Sequence, residues 1–141
     1  MTRREEREQA FFLVFAMGFQ DDEPMVEMVE IVETCREEEV STFAVELAEK
    51  VKTNQARIDN YIEKFSTTWK VNRLSRVVAA LLRLAMGEIL FMEDIPLSVS
   101  INEAVELAKL YGGDEDQAYL NGILGSFAKE IEGESPTDAH L

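Results

Sequence analysis

The sequence predicts an all-α protein of about six or seven short helices. Apolar residues recur every three to four positions, capping residues or Gly and Pro separate these amphipathic segments, and no alternating strand pattern is present. The chain has 141 residues, of which 46% are hydrophobic, so it can bury one core. We therefore expect a single domain over residues 1–132 and a polar, disordered tail over 133–141.

Four amphipathic segments are expected before residue 66. The first helix is predicted from about residue 3 to 18, because Thr2 and Glu5 have the spacing of a capping box and apolar residues then follow one helical face. Each later boundary carries a residue that caps, opens or breaks a helix: Pro24, Ser41, Thr42 and Asn54.

The longest apolar segment covers residues 72–92 and is hydrophobic around most of its circumference, which indicates a helix at the centre of a bundle. Pro96 follows it and disfavours helical backbone at the preceding residue. Ser100 and Glu103 predict a second capping box at the start of the next helix. The remaining boundaries are marked by turn and capping residues: Gly112, Gly113, Asp114 and Asp116.

Composition excludes several kinds of site. Cys35 and His140 are single residues of their type, so neither a zinc site nor a Cys-His pair is expected, and we predict no metal, no cofactor and a cytoplasmic location. The net charge is -14, which opposes nucleic-acid binding in general. Residues 66–92 nevertheless hold four bases and one acid, so a local basic stripe is possible.

Several stretches together resemble the NusB family of bacterial transcription antitermination factors: Arg3-Arg4 with Arg7-Glu8, LRLA at 82–85 with Glu88, DIP at 94–96, INEAVELAK at 101–109 and NGIL at 121–124. The resemblance implies a compact bundle of two packed helical subdomains without catalysis. It also implies binding of boxA-type single-stranded RNA together with the ribosomal protein NusE. That complex would load onto RNA polymerase and suppress premature termination, and a homodimer is a further possibility.

Arginines are the first candidates for the RNA surface. Arg3, Arg4 and Arg7 match the arginine-rich start of NusB proteins, and guanidinium groups both pair with phosphates and stack on unpaired bases. The alternative is a solvated helix face paired with its acidic neighbours. Arg73 and Arg76 are three residues apart, so they could extend the basic patch on one helix face or form the solvated side of that helix.

Tyr119 falls where the family places an aromatic residue on its RNA face, and it could stack on a base. It could equally belong to the core, because it shares a helical face with Ile123 and Phe127. Asn121 could read a base edge or cap a loop, while Gly122 is better explained by close helix packing.

Two residues are candidates for the partner surface. Phe15 lies where a family aromatic residue meets NusE, although it could be core in a helix that is apolar nearly all round. Val78 lies where some relatives have an acidic residue in contact with NusE, so that polar contact would be missing here.

An RNA-binding antitermination factor is therefore the leading hypothesis. The alternative is an acidic helical module that binds NusE but has little RNA affinity of its own. Related helical domains also precede ribosomal RNA cytosine methyltransferases, but this sequence contains neither a nucleotide-binding domain nor a catalytic cysteine, so we do not expect an enzyme.

Overall fold

Seven α-helices and one 3-10 turn make up the computed structural model, which describes residues 1–19, 23–66 and 70–133. The helices are α1 (Arg3–Met17), α2 (Met25–Arg36), α3 (Thr42–Thr53), α4 (Gln55–Phe65), α5 (Arg76–Phe91), α6 (Leu97–Tyr111) and α7 (Asp116–Gly133). The described parts contain no strand, so the predicted fold class is confirmed. The predicted tail lies outside these residues, except Gly133, which ends α7.

Helix α5 is the central element, as its hydrophobic circumference predicts. It packs against α1 and α3 of an N-terminal group, α1–α3, and against α4, α6 and α7 of the C-terminal group. Leu81 and Met86 are fully buried in it. At Gly87 a side chain would place its Cβ 2.6 Å from Val51 of α3, so glycine is what permits the close approach of these two helices.

Local capping chemistry sets several helix boundaries. The Thr2 hydroxyl accepts a hydrogen bond from the Glu5 backbone N–H at 3.1 Å, and the Glu5 carboxylate accepts one from the Thr2 backbone N–H at 3.1 Å. The predicted capping box is therefore confirmed. Ser41 caps α3 through the Ala44 N–H, and Asn54 separates α3 from α4.

Two boundaries differ from the sequence prediction. The central helix does not run from residue 72, because Ser75 caps α5 and residues Val71–Arg73 form the 3-10 turn instead. The capping box predicted at Ser100 and Glu103 is wrong, since α6 already begins at Leu97. Both side chains instead point into buried polar contacts described below.

Across the described residues, no helix combines the length and the hydrophobicity that a bilayer crossing requires.

Candidate nucleic-acid interface

The three N-terminal arginines have different environments, although they occupy adjacent turns of α1. Arg3 and Arg4 are exposed, but Arg7 is only 4% exposed. Its Nε donates to Glu88 at 2.8 Å and its Nη1 donates to Glu103 at 3.4 Å. A buried guanidinium that is paired with two carboxylates has little surface for a phosphate. The prediction that Arg7 contacts RNA is thus corrected, because its contacts join α1 to α5 and α6.

Ser100 is the second hydrogen-bond partner of Glu88. Its hydroxyl donates to the remaining oxygen of Glu88, whose side chain is 1% exposed. Both Glu88 oxygens therefore have donors, one from α1 and one from α6. This pairing explains why a polar Ser100 is buried inside α6 rather than capping it.

Arg4 forms a two-pronged contact with Glu103. Its Nε and Nη2 donate to the two carboxylate oxygens at 3.0 and 2.7 Å. The Arg4 side chain is 67% exposed, whereas that of Glu103 is 10% exposed. The hydrogen bonds from Arg4 hold the pKa of the Glu103 carboxyl below its usual range. Arg4 is thus anchored along one edge and open to solvent elsewhere.

Arg3 is supported by an aromatic ring. Its guanidinium carbon lies 3.9 Å from the centroid of Phe43 at the start of α3. The two residues border a cavity of about 610 Å³ between α1, α3 and the α5–α6 connection. Arg3 has no ion-pair partner within the described ranges, so its charge is available to a ligand.

Arg73 and Arg76 do not share a helix face. Arg73 is exposed on the 3-10 turn and borders a cavity of about 330 Å³ with Tyr119. Arg76 instead donates from Nη1 to the Gly18 carbonyl at 2.6 Å and lies 4.2 Å over the ring of Phe19. The break in helix between residues 73 and 76 is the physical reason for this correction.

Tyr119 is half-buried, and its hydroxyl lies 2.6 Å from the Ser66 hydroxyl. Phe127 packs edge-on against Tyr61 and Phe65. Tyr119 therefore borders a cavity, as expected of a residue that could stack on a base. It also packs against the core, as the alternative expected. The Tyr119 cavity shares no lining residue with the cavities that Arg3 and Arg4 border, so it is a separate site.

Asn121 and Gly122, further along α7, are exposed. Asn121 therefore presents its amide to solvent, which leaves its predicted role open. Gly122 is not at a close helix contact, because a Cβ there would meet nothing within 4 Å. The expectation of close packing at Gly122 is wrong for this reason.

Phe15 lies on a different surface from the N-terminal arginines. It is half-buried, forms an edge-on contact with Phe19 at 5.2 Å and lines a cavity of about 580 Å³ together with Arg76. Val78 is only 3% exposed and belongs to the core, so its expected contact with a partner is corrected to a packing role.

Sequence reasoning missed three residues that define these surfaces: Phe19, Phe43 and Glu103. Phe19 could have been found from the four-residue spacing of Phe11, Phe15 and Phe19. The other two depend on contacts between distant segments. The described residues contain no group of three His, Cys, Asp or Glu side chains that could hold a metal ion.

The helical fold, the exposed arginines at the start of α1 and the cavity beside Phe15 at its end define an all-helical binding protein. The sequence model of the NusB family matches residues 4–129, and the chain belongs to that family. The resemblance found in the sequence is thereby confirmed. Membership of this family also confirms that the chain is not an enzyme.

Relatives match nearly the whole chain. The transcription antitermination protein NusB of Natranaerobius thermophilus is 44% identical over 93% of this chain and 97% of its own length. That of Agathobacter rectalis is 42% identical over 91% of this chain and 100% of its own.

Among solved structures, T. maritima NusB superposes with a TM-score of 0.80 at 37% identity, covering 92% of each chain. A chain from a crystal structure of the antitermination factors NusB and NusE in complex with double-stranded RNA has a TM-score of 0.80. It covers 92% of this chain and 99% of its own at 23% identity, which supports the fold alone.

Proposed function

We propose that this chain is a transcription antitermination factor that binds boxA-type single-stranded RNA together with the ribosomal protein NusE. The observation that carries the proposal is the family match over residues 4–129, combined with two exposed arginines at the start of α1. Relatives at 44% and 42% identity bear the antitermination name. The protein would act in the cytoplasm as part of an assembly on RNA polymerase.

The RNA surface in this proposal consists of Arg3, Arg4 and the separate group of Arg73, Tyr119 and Asn121. Arg3 and Arg4 supply charge at the exposed start of α1, where the helix dipole adds to the positive potential. Tyr119 and Arg73 border one cavity, where an aromatic ring and a cation can together hold an unpaired base. Arg7 is buried and paired with Glu88 and Glu103, so it does not belong to this surface.

The partner surface in this proposal is centred on Phe15 and Phe19. Phe19 is 55% exposed and lies edge-on against the half-buried Phe15, so the two rings form a small apolar patch of the kind that a partner can cover. Arg76 lies against the Phe19 ring and adds a hydrogen-bonding group. Aromatic residues and arginine are enriched at the centres of protein interfaces. We assign NusE to this surface, and a homodimer is the competing occupant.

The RNA assignment is tested by fluorescence anisotropy with a boxA-type RNA, with and without NusE, across a salt series. We expect NusE to tighten binding. Replacing Arg3 and Arg4 by alanine should weaken binding and lower the slope of log K against log salt by about 0.7 to 1.4, since one or two phosphate contacts are lost and each contributes about 0.7 for a single strand. The matched control is alanine at Lys50 and Lys129, two exposed cations on other helices.

If both double variants change the slope equally, the RNA surface is misplaced. If the wild-type protein binds NusE but no RNA at physiological salt, the alternative of an acidic NusE-binding module replaces the proposal. Size-exclusion chromatography of Phe19→Ser examines the partner surface. Loss of the NusE complex with unchanged RNA binding by the protein alone supports the assignment, whereas loss of a homodimer alone contradicts it.

A further inference from the structure

The two exposed arginines of α1 are held by different neighbours and in different ways. Arg3 lies over the face of the Phe43 ring, whereas Arg4 meets the Glu103 carboxylate along one edge. Phe43 belongs to α3 and Glu103 to α6, so the two supports come from separate helices.

We propose that Phe43 and Glu103 are positioning residues that give Arg3 and Arg4 separate tasks. Phe43 holds Arg3 as a flat platform on which an unpaired base stacks. Glu103 holds Arg4 so that its free edge meets a phosphate. This inference rests on the proposed RNA binding and extends it to two residues that make no contact with RNA in this scheme.

The cavity beside Arg3 is suited to a base rather than to a phosphate. A guanidinium is planar, so a ring on one face leaves the other face free for a second planar group. The cavity volume of about 610 Å³ is sufficient for a nucleobase, and Met92, Pro96 and Val99 make part of its wall apolar.

Charge at the rim of this cavity favours the same ligand. Its acidic side chains repel a phosphate, but their carboxylates can accept hydrogen bonds from the exocyclic amino groups of adenine, cytosine or guanine. These side chains are Glu46, Glu93 and Asp94. A base with hydrogen-bond donors on its edge therefore suits this cavity better than a phosphate does.

The geometry at Arg4 is suited to a phosphate. The Glu103 carboxylate accepts hydrogen bonds from Nε and Nη2 of Arg4. Both Nη1 hydrogens and one Nη2 hydrogen of Arg4 are left for a ligand. A second oxyanion can therefore bind along the outer edge of the guanidinium without displacing Glu103. The Glu103 charge is also shared with Arg7 at 3.4 Å, so Glu103 orients Arg4 without cancelling it completely.

The Arg3 platform is tested with boxA-type RNAs that carry 2-aminopurine at successive positions, in the presence of NusE. Stacking on Arg3 should quench one of these probes. Phe43→Tyr keeps the ring and should keep the quenching, whereas Phe43→Leu should lose at least half of it. We expect Phe43→Leu to weaken binding about two- to fivefold with an unchanged salt slope.

Arg3→Lys provides a second test that leaves the interior untouched. It keeps the charge but removes the planar group, so it too should lose the quenching while retaining the salt slope. Quenching equal to wild type in both Phe43→Leu and Arg3→Lys overturns the platform.

The Arg4 support is tested by comparing Glu103→Gln with Glu106→Gln on the same helix. Both substitutions remove one negative charge, so a purely electrostatic effect would tighten RNA binding in both. If Glu103 positions Arg4, Glu103→Gln should weaken RNA binding about two- to fivefold, whereas Glu106→Gln should not. Arg4→Lys, at an exposed position, should weaken binding as Glu103→Gln does.

Equal tightening by the two glutamine variants overturns the role of Glu103, as does wild-type binding by Arg4→Lys. Thermal unfolding of each variant verifies that the fold is retained. If the wild-type protein binds no RNA, the proposed function fails and this inference fails with it. If the wild type binds RNA and the variants behave as their controls, only this inference fails.

Discussion

Arg7 provides the sharpest test of whether an N-terminal arginine serves the fold or the RNA. Replacing it by methionine keeps most of its volume but leaves Glu88, 1% exposed, without its cation. Removing one partner of a buried ion pair costs about 3–5 kcal/mol, because the other charge remains buried and unpaired. For a domain of this size that corresponds to a fall in melting temperature of about 10–20 °C.

The matched control is Arg4→Met, one turn earlier on α1. Its side chain is 67% exposed, so losing its solvent-screened ion pair should lower the stability far less than Arg7→Met does. A second control removes both buried charges in Arg7→Met with Glu88→Leu. This double variant should recover at least about 1 kcal/mol relative to Arg7→Met alone, since no unpaired carboxylate is left.

Urea unfolding followed by circular dichroism gives the free energy of unfolding of all three variants. RNA binding is then measured across a salt series at a temperature where each variant is folded. Arg7→Met should leave the salt slope unchanged, because the Arg7 charge is neutralised inside the protein. The reasoning is refuted if Arg7→Met costs less than about 1 kcal/mol, or if it lowers the salt slope as alanine at Arg4 does.

The remaining predictions concern packing and titration. Gly87→Ala should destabilise the fold by about 1–3 kcal/mol, because the new Cβ would meet Val51. Gly122→Ala should stabilise α7 by about 0.5–1 kcal/mol, because a Cβ there meets nothing within 4 Å. Urea unfolding that ranks the two variants in the opposite order contradicts this packing. The lowered pKa of Glu103 contributes stability that is present above the unfolded pKa of about 4.3 and is lost as pH falls through the folded value. Glu103→Gln should therefore flatten the acid limb of a stability–pH series, and an unchanged limb argues against the Arg4 contact. Burial and a hydrogen bond to Glu8 raise the pKa of Tyr111 above 10.0, so Tyr111→Phe should remove a late-titrating phenol from the ultraviolet titration.

Local rules predicted the helices well because the relevant interactions are local. The capping box at Thr2 and Glu5 and the cap at Ser41 involve residues three apart, and sequence alone contains that spacing. The same rule failed at Ser100, where the hydroxyl pairs with Glu88 from another helix. A serine followed three residues later by glutamate marks a helix start only when neither side chain has a stronger partner in the tertiary structure.

The candidate site was less predictable, because its geometry depends on contacts across the chain. Arg4 and Arg7 are three residues apart and chemically equivalent in the sequence, yet one is exposed and the other is buried. The difference arises from Glu88, which lies 81 residues from Arg7. Without knowledge of which helix faces α1, no local pattern distinguishes an exposed arginine from one that joins helices.

The acidic composition is compatible with RNA binding once individual charges are located. Electrostatic interactions between exposed groups are screened over about 8 Å at physiological ionic strength, so a net charge of -14 does not by itself determine the potential at α1. Glu88 and Glu103 are directed inward and paired with arginines. Two exposed arginines still provide only a small counterion-release contribution. The proposed binding therefore has to draw more on base stacking and on NusE, and it should depend on salt less steeply than binding by a strongly basic surface.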